Sequence, residues 1–377
     1  MIKLRPLPKN IKEKRILMRV DFNGTYSMGK VQDDFRIKKT LPTIIDSLER
    51  GNKAILASHI EERGKPLSFL PVAAYLRRHG LKHLRFVEDV VGEQTNRAVE
   101  KMKNGDVLLL ENLRKDPREK ENDQEFALGL ARLADIYVNE AFSVSHREHA
   151  SIIGVPKFLP SFAGPLFLEE IKQLSKTFRP AHPFVFVLGG MKPIKLLLLE
   201  KFLPKADFVI VGGTMANTLL AAKGIKIGKS QIESESIPDI KKSILSSEKI
   251  LFPVDVVVEH NGRKITKTLS EVGENDNVFD LGPSTMRKAE EIIKQARFVL
   301  WNGPLGYVEK GFDVSTRQLM RALLKSSAET IVGGGDTVAF IHKEGAVDKF
   351  SFVSTGGGAM LEFLAKGTLP GIEALKK

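Results

Sequence analysis

The chain has 377 residues, 42% of them hydrophobic, which is enough to fill the cores of two domains and excludes disordered and collagen-like proteins. It contains no cysteine, which excludes disulfide scaffolds and thiolate nucleophiles, so oxygen or imidazole must hold any metal ion. Lys and Arg (58) exceed Asp and Glu (46) by 12. Because basic and acidic residues alternate and only 7% of residues are aromatic, we expect small anionic ligands or a lysine-rich surface and no nucleic-acid partner.

The amino-terminal segment, residues 1–15, is polar and basic and lacks the apolar centre of a signal peptide. The longest aliphatic run, residues 196–199, is far shorter than the ~20 apolar residues that a membrane-spanning helix needs. We therefore expect a soluble cytoplasmic protein that contacts no membrane.

Short apolar runs alternate with segments of helical periodicity, the pattern of α/β proteins whose parallel sheets are covered by helices on both faces. In the first half the runs predict strands at residues 15–20, 53–58, 107–110 and 135–139. In the second half they predict strands at residues 183–188, 207–211, 250–258, 297–301, 329–332 and 350–353. Between the halves, the sequence predicts a helix from about residue 166 to 178 that ends before Pro180 and connects two lobes.

Polar and basic side chains follow the predicted strands of the first half. The carboxyl ends of parallel strands meet at one edge of a sheet, so these side chains would converge on one crevice suited to a small polyanionic acid. Taken singly, each of them is explained equally well by a surface loop. The residues are Asp21, Asn23, Arg36, His59, Asn112, Arg114, Asn139, Ser145, His146, Arg147 and His149.

Glycine-rich turns follow the predicted strands of the second half instead. Glycines at strand ends let backbone N–H groups and helix N-termini approach phosphate groups. One such turn is weak evidence, but the repetition favours a nucleotide site in this lobe. The turns are LGG (188–190), VGG (211–213), NGP (302–304), GGGD (333–336) and TGGG (355–358).

Two residues near these turns have two interpretations each. Pro193 suits the first position of a helix, which places Lys195 in the first turn, where the helix dipole disfavours a cation by about 0.3–1 kcal/mol unless an anion binds. Lys195 therefore predicts a bound phosphate, with a lysine pointing into water as the alternative. Asp336 is either a helix N-cap or a ligand of Mg²⁺ held with nucleotide phosphates, and the neighbouring glycine turns favour magnesium.

Two common nucleotide-binding fingerprints do not fit the chain. GKS at residues 228–230 follows a helix, and Gly224 precedes Gly228 by four positions where a phosphate loop requires five. The dinucleotide fingerprint G-x-G-x-x-G is absent, which disfavours a nicotinamide-dependent dehydrogenase.

A series of short motifs extends over essentially the whole chain. The most specific are RVDFNG (19–24), LWNGPLG (300–306), GGGDTVA (333–339) and STGGGAMLEFL (354–364). Others are DDFRI (33–37), SHIEERGKP (58–66), LLLENLR (108–114), VNEAFSVSHREHAS (138–151), FVLGGMK (186–192), VGGTMANTLL (211–220), PVDVVV (253–258) and DLGPSTM (280–286). In order and spacing these motifs resemble the phosphoglycerate kinase family.

The resemblance implies two Rossmann-like lobes, each a parallel sheet with helices on both faces, joined by a helix and a hinge. It implies a phosphoglycerate-binding domain at residues 1–165, to which residues from about 359 to 377 return, a connecting helix at 166–180 and a nucleotide-binding domain at 181–358. The implied activity is reversible phosphoryl transfer between 1,3-bisphosphoglycerate and ADP, giving 3-phosphoglycerate and ATP, with Mg²⁺ as cofactor and a monomeric chain.

Carried over by position, the resemblance implies two sets of binding residues. The acid would contact Asp21, Phe22, Asn23, Arg36, His59, Arg63, Arg114 and Arg147. The nucleotide would contact Gly190, Lys192, Lys195, Gly212, Gly213, Asn302, Pro304, Glu309, Gly334, Gly335, Asp336 and Thr337, with Glu309 on the ribose and Asp336 on Mg²⁺. The charge on the transferring phosphoryl group would be stabilised by Arg36, Lys195 and the backbone N–H groups of Gly357 and Gly358.

Two segments depart from the family pattern. Only Pro193 and Ile194 separate the two lysines, where the family has three residues, although the downstream helix keeps its register when Lys195 is the second lysine. The family's His-x-Gly-Arg-Pro is stretched to residues 59–66, where either Arg63 or Lys65 replaces the family's arginine. The shortened lysine loop favours one rival function, a binding protein that keeps the fold without catalysis.

Overall fold

The computed structural model describes residues 2–24, 26–27, 30–190 and 192–376. The chain divides into two compact units, the first comprising Met1–Lys172 and Lys366–Lys377 and the second Gln173–Ala365. The division falls inside the predicted connecting helix. The carboxyl-terminal segment that groups with the first unit begins at Lys366, later than the predicted residue 359.

The first unit is organised around a parallel sheet. Its strands are β1 (Arg15–Arg19), β2 (Tyr26–Ser27), β3 (Lys30–Val31), β4 (Lys53–Ala57), β5 (Glu61–Glu62), β6 (Lys65–Pro66), β7 (Leu84–Phe86), β8 (Val107–Leu109), β9 (Ile136–Asn139) and β10 (Ser161–Ala163). Six of them pair in the order β10-β9-β1-β4-β8-β7, all parallel, whereas β2 with β3 and β5 with β6 form short antiparallel hairpins. In the central strands β1 and β4, every residue after the first is buried and most are apolar, because helices cover the sheet.

The second unit contains a second parallel sheet and a small antiparallel one. Its strands are β11 (Phe184–Leu188), β12 (Phe208–Val211), β13 (Ile250–Leu251), β14 (Asp255–His260), β15 (Arg263–Thr268), β16 (Asn277–Leu281), β17 (Phe298–Asn302), β18 (Glu329–Gly333) and β19 (Phe352–Val353). The parallel sheet has the order β13-β12-β11-β17-β18-β19, and β15-β14-β16 form the antiparallel sheet. The predicted α/β class with two helix-covered parallel sheets is confirmed.

The helices follow the strands in the alternation that the sequence predicts. They are α1 (Phe35–Glu49), α2 (Leu70–Arg78), α3 (Glu93–Glu100), α4 (Gln124–Arg132), α5 (Pro165–Ser175), α6 (Pro193–Phe202), α7 (Gly213–Ala222), α8 (Lys242–Leu245), α9 (Pro283–Gln295), α10 (Val314–Lys325), α11 (Gly335–Lys343), α12 (Gly358–Lys366) and α13 (Pro370–Ala374). The helix predicted near residues 166–178 is α5, which continues into a 3₁₀ turn at Lys176–Phe178. Within the described residues, no helix is both long and apolar enough to cross a bilayer.

The single strand predicted at residues 250–258 is wrong. Residues 250–251 belong to the parallel sheet and 255–260 to the antiparallel one. Pro253 separates the two segments, because proline has no N–H to donate and ends the pairing of the first strand. The antiparallel sheet and the three-residue strands β7 and β10 were not predicted, since β15 is largely exposed and polar and the other two are too short for a periodic signal.

In each sheet the strand order reverses beside the first strand of the unit. β1 lies between β4 and β9, and β11 lies between β12 and β17. Open α/β sheets bind ligands outside the carboxyl ends of their strands at such points. The polar loops after β1, β4, β8 and β9 and the glycine turns after β11, β12 and β17 are therefore where a site is expected in each unit.

Candidate active site

The loop after β1 is organised by the buried carboxylate of Asp21. Its Oδ1 accepts a hydrogen bond from the Asn23 backbone N–H at 2.9 Å, and its Oδ2 accepts one from Ser143 Oγ. Arg36 Nη1 lies 3.1 Å from Asp21 Oδ2 and donates to the Asn23 carbonyl at 2.8 Å. Asp21 thus fixes the direction of the Arg36 guanidinium, whose side chain remains 28% exposed and accessible to an anion.

A buried group of basic side chains lies around His59 at the end of β4. His59 is 1% exposed, and its Nδ1 lies 3.2 Å from Arg19 Nη2. Because arginine only donates, Nδ1 is the acceptor and the ring proton is assigned to Nε2. Burial, with the charges of Arg19 and Arg114, lowers the pKa of His59 well below its usual value. His59 therefore offers one neutral N–H donor.

Arg19, the last residue of β1, is a buried cation that sequence reasoning did not assign to the site. Its Nε donates to Ser151 Oγ at 2.8 Å. The hydroxyl and backbone N–H of Ser151 donate in turn to the two carboxylate oxygens of Glu119 at 2.6 and 2.9 Å. Arg19 and Glu119 are each 1% exposed, so this network compensates two buried charges and holds Arg19 beside His59.

Arg114, in the loop after β8, carries hydrogen-bond donors that no group of the described residues uses. Its side chain is 3% exposed and pairs through Nη1 with Glu61, whereas Nε and Nη2 are buried without a hydrogen-bond partner. Burial and the charges of Arg147 and Arg19 lower the pKa of Arg114 to about 10. A buried donor without a partner costs about 1–3 kcal/mol. An anionic oxygen would remove this cost, so the group is suited to bind an acid.

Three of the residues predicted to contact the acid, or considered for that role, have side chains either in the core or on the exposed hairpin. Phe22 is 0% exposed and packs edge-on against Phe69, so its side chain belongs to the core. Arg63 is exposed at the turn of the β5–β6 hairpin with a φ of 49°, and Lys65 is exposed on β6. From this hairpin it is Glu61, not either cation, that contacts Arg114.

In the second unit the glycine turns after β11, β12 and β17 lie very close to one another. A Cβ at Gly303 would lie 2.8 Å from Lys195 Nζ, and one at Gly212 would lie 2.7 Å from the Cα of Leu305. Gly303 also has a φ of 97°, which L-residues rarely adopt. These turns therefore need glycine so that the backbones and Lys195 can approach closely.

Lys195 lies in the first turn of α6, as predicted from Pro193. It is 6% exposed, and its Nζ donates to the Gly189 carbonyl. Burial and the charge of Lys192 lower the pKa of Lys195 to about 8, and Asp336 opposes this shift. The alternative of a lysine pointing into water is wrong. A cation buried at the positive end of a helix is stabilised by an anion bound there.

Lys195 lines a cavity of about 340 Å³, a volume within the range of small-molecule sites. Of the residues predicted to contact the nucleotide, the cavity is lined by Gly190, Lys192, Lys195, Gly213, Pro304, Glu309 and Asp336. Sequence reasoning missed other lining residues, among them Thr214, Asn217, Gln231, Phe279, Gly306 and Tyr307. Phe279 and Tyr307 pack edge-to-face at 5.4 Å, and no periodicity in the sequence signals such a pair.

Other residues predicted to bind the nucleotide support the turns instead of lining this cavity. Thr337 Oγ accepts a hydrogen bond from the Gly303 N–H at 2.9 Å, which ties the turn after β17 to α11. Asn302 is 1% exposed, and its Nδ2 lies 3.8 Å from Met360 Sδ. Gly212, Gly334 and Gly335 are likewise outside the lining.

Asp336 lies exposed in the first turn of α11 and lines the same cavity as the two lysines. Gly334 occupies the N-cap position of this helix, so the alternative role of Asp336 as an N-cap is wrong. In the part of the chain that the structure describes, no three His, Asp or Glu side chains come together to hold a metal ion. The single carboxylate of Asp336 fits an ion that takes one carboxylate together with phosphate and water oxygens, as Mg²⁺ does.

The turn after β19 leads into α12. Gly356 donates its N–H to Ser354 Oγ at 3.0 Å, and Gly357 has a φ of 52°. Gly358 begins α12. The N–H groups of Gly357 and Gly358 are thus at a helix N-terminus, where donors lack intrahelical partners and favour anions.

Comparison with known proteins points to one family. The sequence model of the family described as phosphoglycerate kinase matches residues 8–367. Phosphoglycerate kinases of Pseudothermotoga lettingae and Coprothermobacter proteolyticus are 42% and 40% identical, covering 97% and 99% of this chain and 96% and 99% of those proteins. Structures of phosphoglycerate kinase from Coxiella burnetii and Pyrococcus horikoshii give TM-scores of 0.83 and 0.88 at 37% and 30% identity, each covering 97% of both chains.

Proposed function

The chain belongs to the phosphoglycerate kinase family, and we propose that its first unit binds the phosphoglycerate and its second unit the nucleotide. As a member of this family it is a phosphotransferase of glycolysis and gluconeogenesis that passes a phosphoryl group reversibly between 1,3-bisphosphoglycerate and ADP. The observation that carries the proposed division is the contrast between buried guanidinium donors in one unit and a buried lysine among glycine turns in the other.

In the first unit, the acid binds beside Arg114, which has two donors without a partner among the described residues. The Nε and Nη2 atoms of Arg114 form one edge of a guanidinium, which suits two oxygens of a carboxylate or phosphate. Arg36, held by Asp21, and the Nε2–H of His59 supply further donors. Arg147 adds positive charge that contributes to the lowered pKa of His59. Together these groups favour a ligand with two anionic ends.

In the second unit, the nucleotide occupies the cavity lined by Lys195. Its phosphates lie against Lys195, Lys192 and the N-termini of α6 and α7, where charge and backbone N–H groups favour anions. The base packs on the apolar surface of Phe279 and Tyr307, and Glu309 accepts hydrogen bonds from the ribose. Asp336 would hold Mg²⁺ together with phosphate oxygens, and the ion would neutralise phosphate charge when bound.

Catalysis of phosphoryl transfer consists mainly of alignment and of stabilising charge on the transferring group. Lys195 is suited to this task because its ammonium is buried, where water screens it least. Arg36 and the N–H groups of Gly357 and Gly358 supply the remaining positive potential. None of these groups forms a covalent bond to the phosphoryl group.

A coupled assay with 3-phosphoglycerate, ATP and magnesium tests the function directly. We expect ATP-dependent turnover that requires both substrates, because each unit binds one of them. Turnover at background level with intact ATP affinity would instead support the rival function, a binding protein without catalysis.

Three finer assignments follow the family resemblance: a monomer, a cytoplasmic location and a hinge-bending closure that excludes water from the reacting phosphate. Small-angle X-ray scattering tests two of them. The scattering mass should equal that of one chain, and the radius of gyration should fall only when both substrates are present. A dimer mass, or an unchanged radius in the ternary complex, would contradict the respective assignment.

Nucleotide affinity should depend on pH through Lys195. Its pKa is lowered to about 8, and a bound phosphate favours the charged form and raises it again. Below pH 8 the ammonium is already present, so the affinity for ADP should not vary with pH through this group. Above pH 8 binding must take up a proton, and affinity should fall by up to about tenfold per pH unit. Calorimetry in two buffers of different ionisation enthalpy measures the uptake, which should vanish in Lys195→Ala.

A further inference from the structure

The hairpin of β5 and β6 brings a carboxylate into the arginine cluster of the first unit. Asn112 fixes the base of the hairpin, because its Nδ2 donates to the carbonyls of Ile60 and Leu67 at 2.6 and 2.7 Å. The Glu61 N–H also donates to Asn23 Oδ1 at 3.3 Å. The backbone of the hairpin is therefore tied to the loops that carry Asn23 and Asn112.

The side chain of Glu61 bridges two cations. Its Oε2 pairs with Arg114 Nη1, and its Oε1 accepts a hydrogen bond from Lys120 Nζ at 2.8 Å. Glu61 is 17% exposed and Arg114 only 3%, whereas Lys120 is 50% exposed at the solvent side. The contact that is shielded from water is thus the one with Arg114, where a negative charge acts most strongly.

Glu61 pairs with one nitrogen of the Arg114 guanidinium and leaves two others without a hydrogen-bond partner among the described residues. Glu61 uses Nη1, and the buried atoms without a partner are Nε and Nη2. These two atoms form the side-on edge that binds a carboxylate or phosphate through two parallel hydrogen bonds. Glu61 therefore orients the guanidinium and at the same time places a negative charge beside the position of the incoming anion.

We propose that Glu61 is a positioning residue that sets the affinity of the acid site: by pairing with Nη1 it leaves Nε and Nη2 of Arg114 for the ligand, while its charge limits how tightly an anion binds. That the anion is 3-phosphoglycerate rests on the proposed function. The limited affinity favours release of a highly charged product, which a cluster containing Arg19, Arg114 and Arg147 would otherwise retain.

Glu61→Gln separates the two effects, because the amide oxygen can still accept from Arg114 while the charge is lost. We expect the Kd and KM for 3-phosphoglycerate to fall by about five- to tenfold, with the KM for ATP within about twofold of the wild type. The matched control is Glu62→Gln, which removes the same charge from the next, exposed residue of the hairpin and should leave both constants within about twofold. A Glu61→Gln variant that binds the acid no more tightly than Glu62→Gln would overturn the inference.

Titration with inorganic phosphate separates this inference from the proposed function. Glu61→Gln should bind phosphate about five- to tenfold more tightly than Glu62→Gln, whether or not the enzyme turns over 3-phosphoglycerate. If phosphate shows this difference but the wild type neither binds nor converts 3-phosphoglycerate, the function is wrong and the inference holds. If the wild type converts it and both variants bind acid and phosphate equally, the function holds and the inference is wrong.

Discussion

Replacing Lys195 with alanine should lower kcat by about 10³-fold, which corresponds to about 4 kcal/mol of transition-state stabilisation. The reason is the position of the ammonium, which is 6% exposed among the glycine turns and lines the nucleotide cavity. A cation in such a water-poor site acts most strongly on charge that develops during transfer. Steady-state kinetics in the coupled assay should show the main loss in kcat, with a smaller change in the KM for ATP.

Lys201→Ala is the matched control for this variant. Lys201 lies in the last turn of the same helix, and its Nζ donates to the Ala365 carbonyl at 2.7 Å, outside the cavity lining. This variant removes the same charge as Lys195→Ala. Because Lys201 lies outside the cavity, kcat should stay within about twofold of the wild type. Equal losses in both variants would show that Lys195 acts through helix stability or net charge and not on the phosphoryl group.

Replacing Arg19 with leucine should lower the free energy of unfolding of the first unit by about 3–5 kcal/mol, because it leaves Glu119 buried without its compensating charge. Ser151 links the two side chains, and both are 1% exposed. Denaturant unfolding followed by far-UV circular dichroism measures the loss. Tryptophan fluorescence would not serve, since the single tryptophan, Trp301, lies in the second unit.

Arg15→Leu tests whether burial of the charged groups causes the stability loss expected for Arg19→Leu. Arg15 lies on the same strand as Arg19 and pairs with Asp135 at 2.7 Å, but the two side chains are 37% and 34% exposed. A water-exposed ion pair contributes about 0–1 kcal/mol, so this variant should lose at most about that much stability. Similar losses for both arginine variants would contradict the account of the Arg19–Glu119 network.

The sequence predicted those parts of the fold that depend on a local pattern. Except for β7 and β10, the strands of both parallel sheets were recognisable because they are apolar runs, and Pro193 correctly located the start of α6. The strand at 250–258 was wrong because an apolar run does not reveal which sheet each half joins. Pro253 was the one local signal that could have divided it.

The candidate site was predictable to the extent that it lies at strand ends. Arg114 and Lys195 follow that rule, since each stands in or near a turn after a parallel strand. Arg19 also lies at a strand end but was missed, because the last residue of a strand carries no mark that separates a buried arginine from an exposed one. Glu61 was missed because its contact with Arg114 depends on the folded hairpin, and the two residues are 53 positions apart.

Hydrogen-exchange mass spectrometry with each ligand added separately tests the division of binding between the units most directly. We expect 3-phosphoglycerate alone to slow exchange in the loops after β1, β4 and β8, and magnesium with ADP alone to slow it in the turns after β11, β12 and β17. Protection of the same unit by both ligands, or of the glycine turns by the acid, would contradict the account.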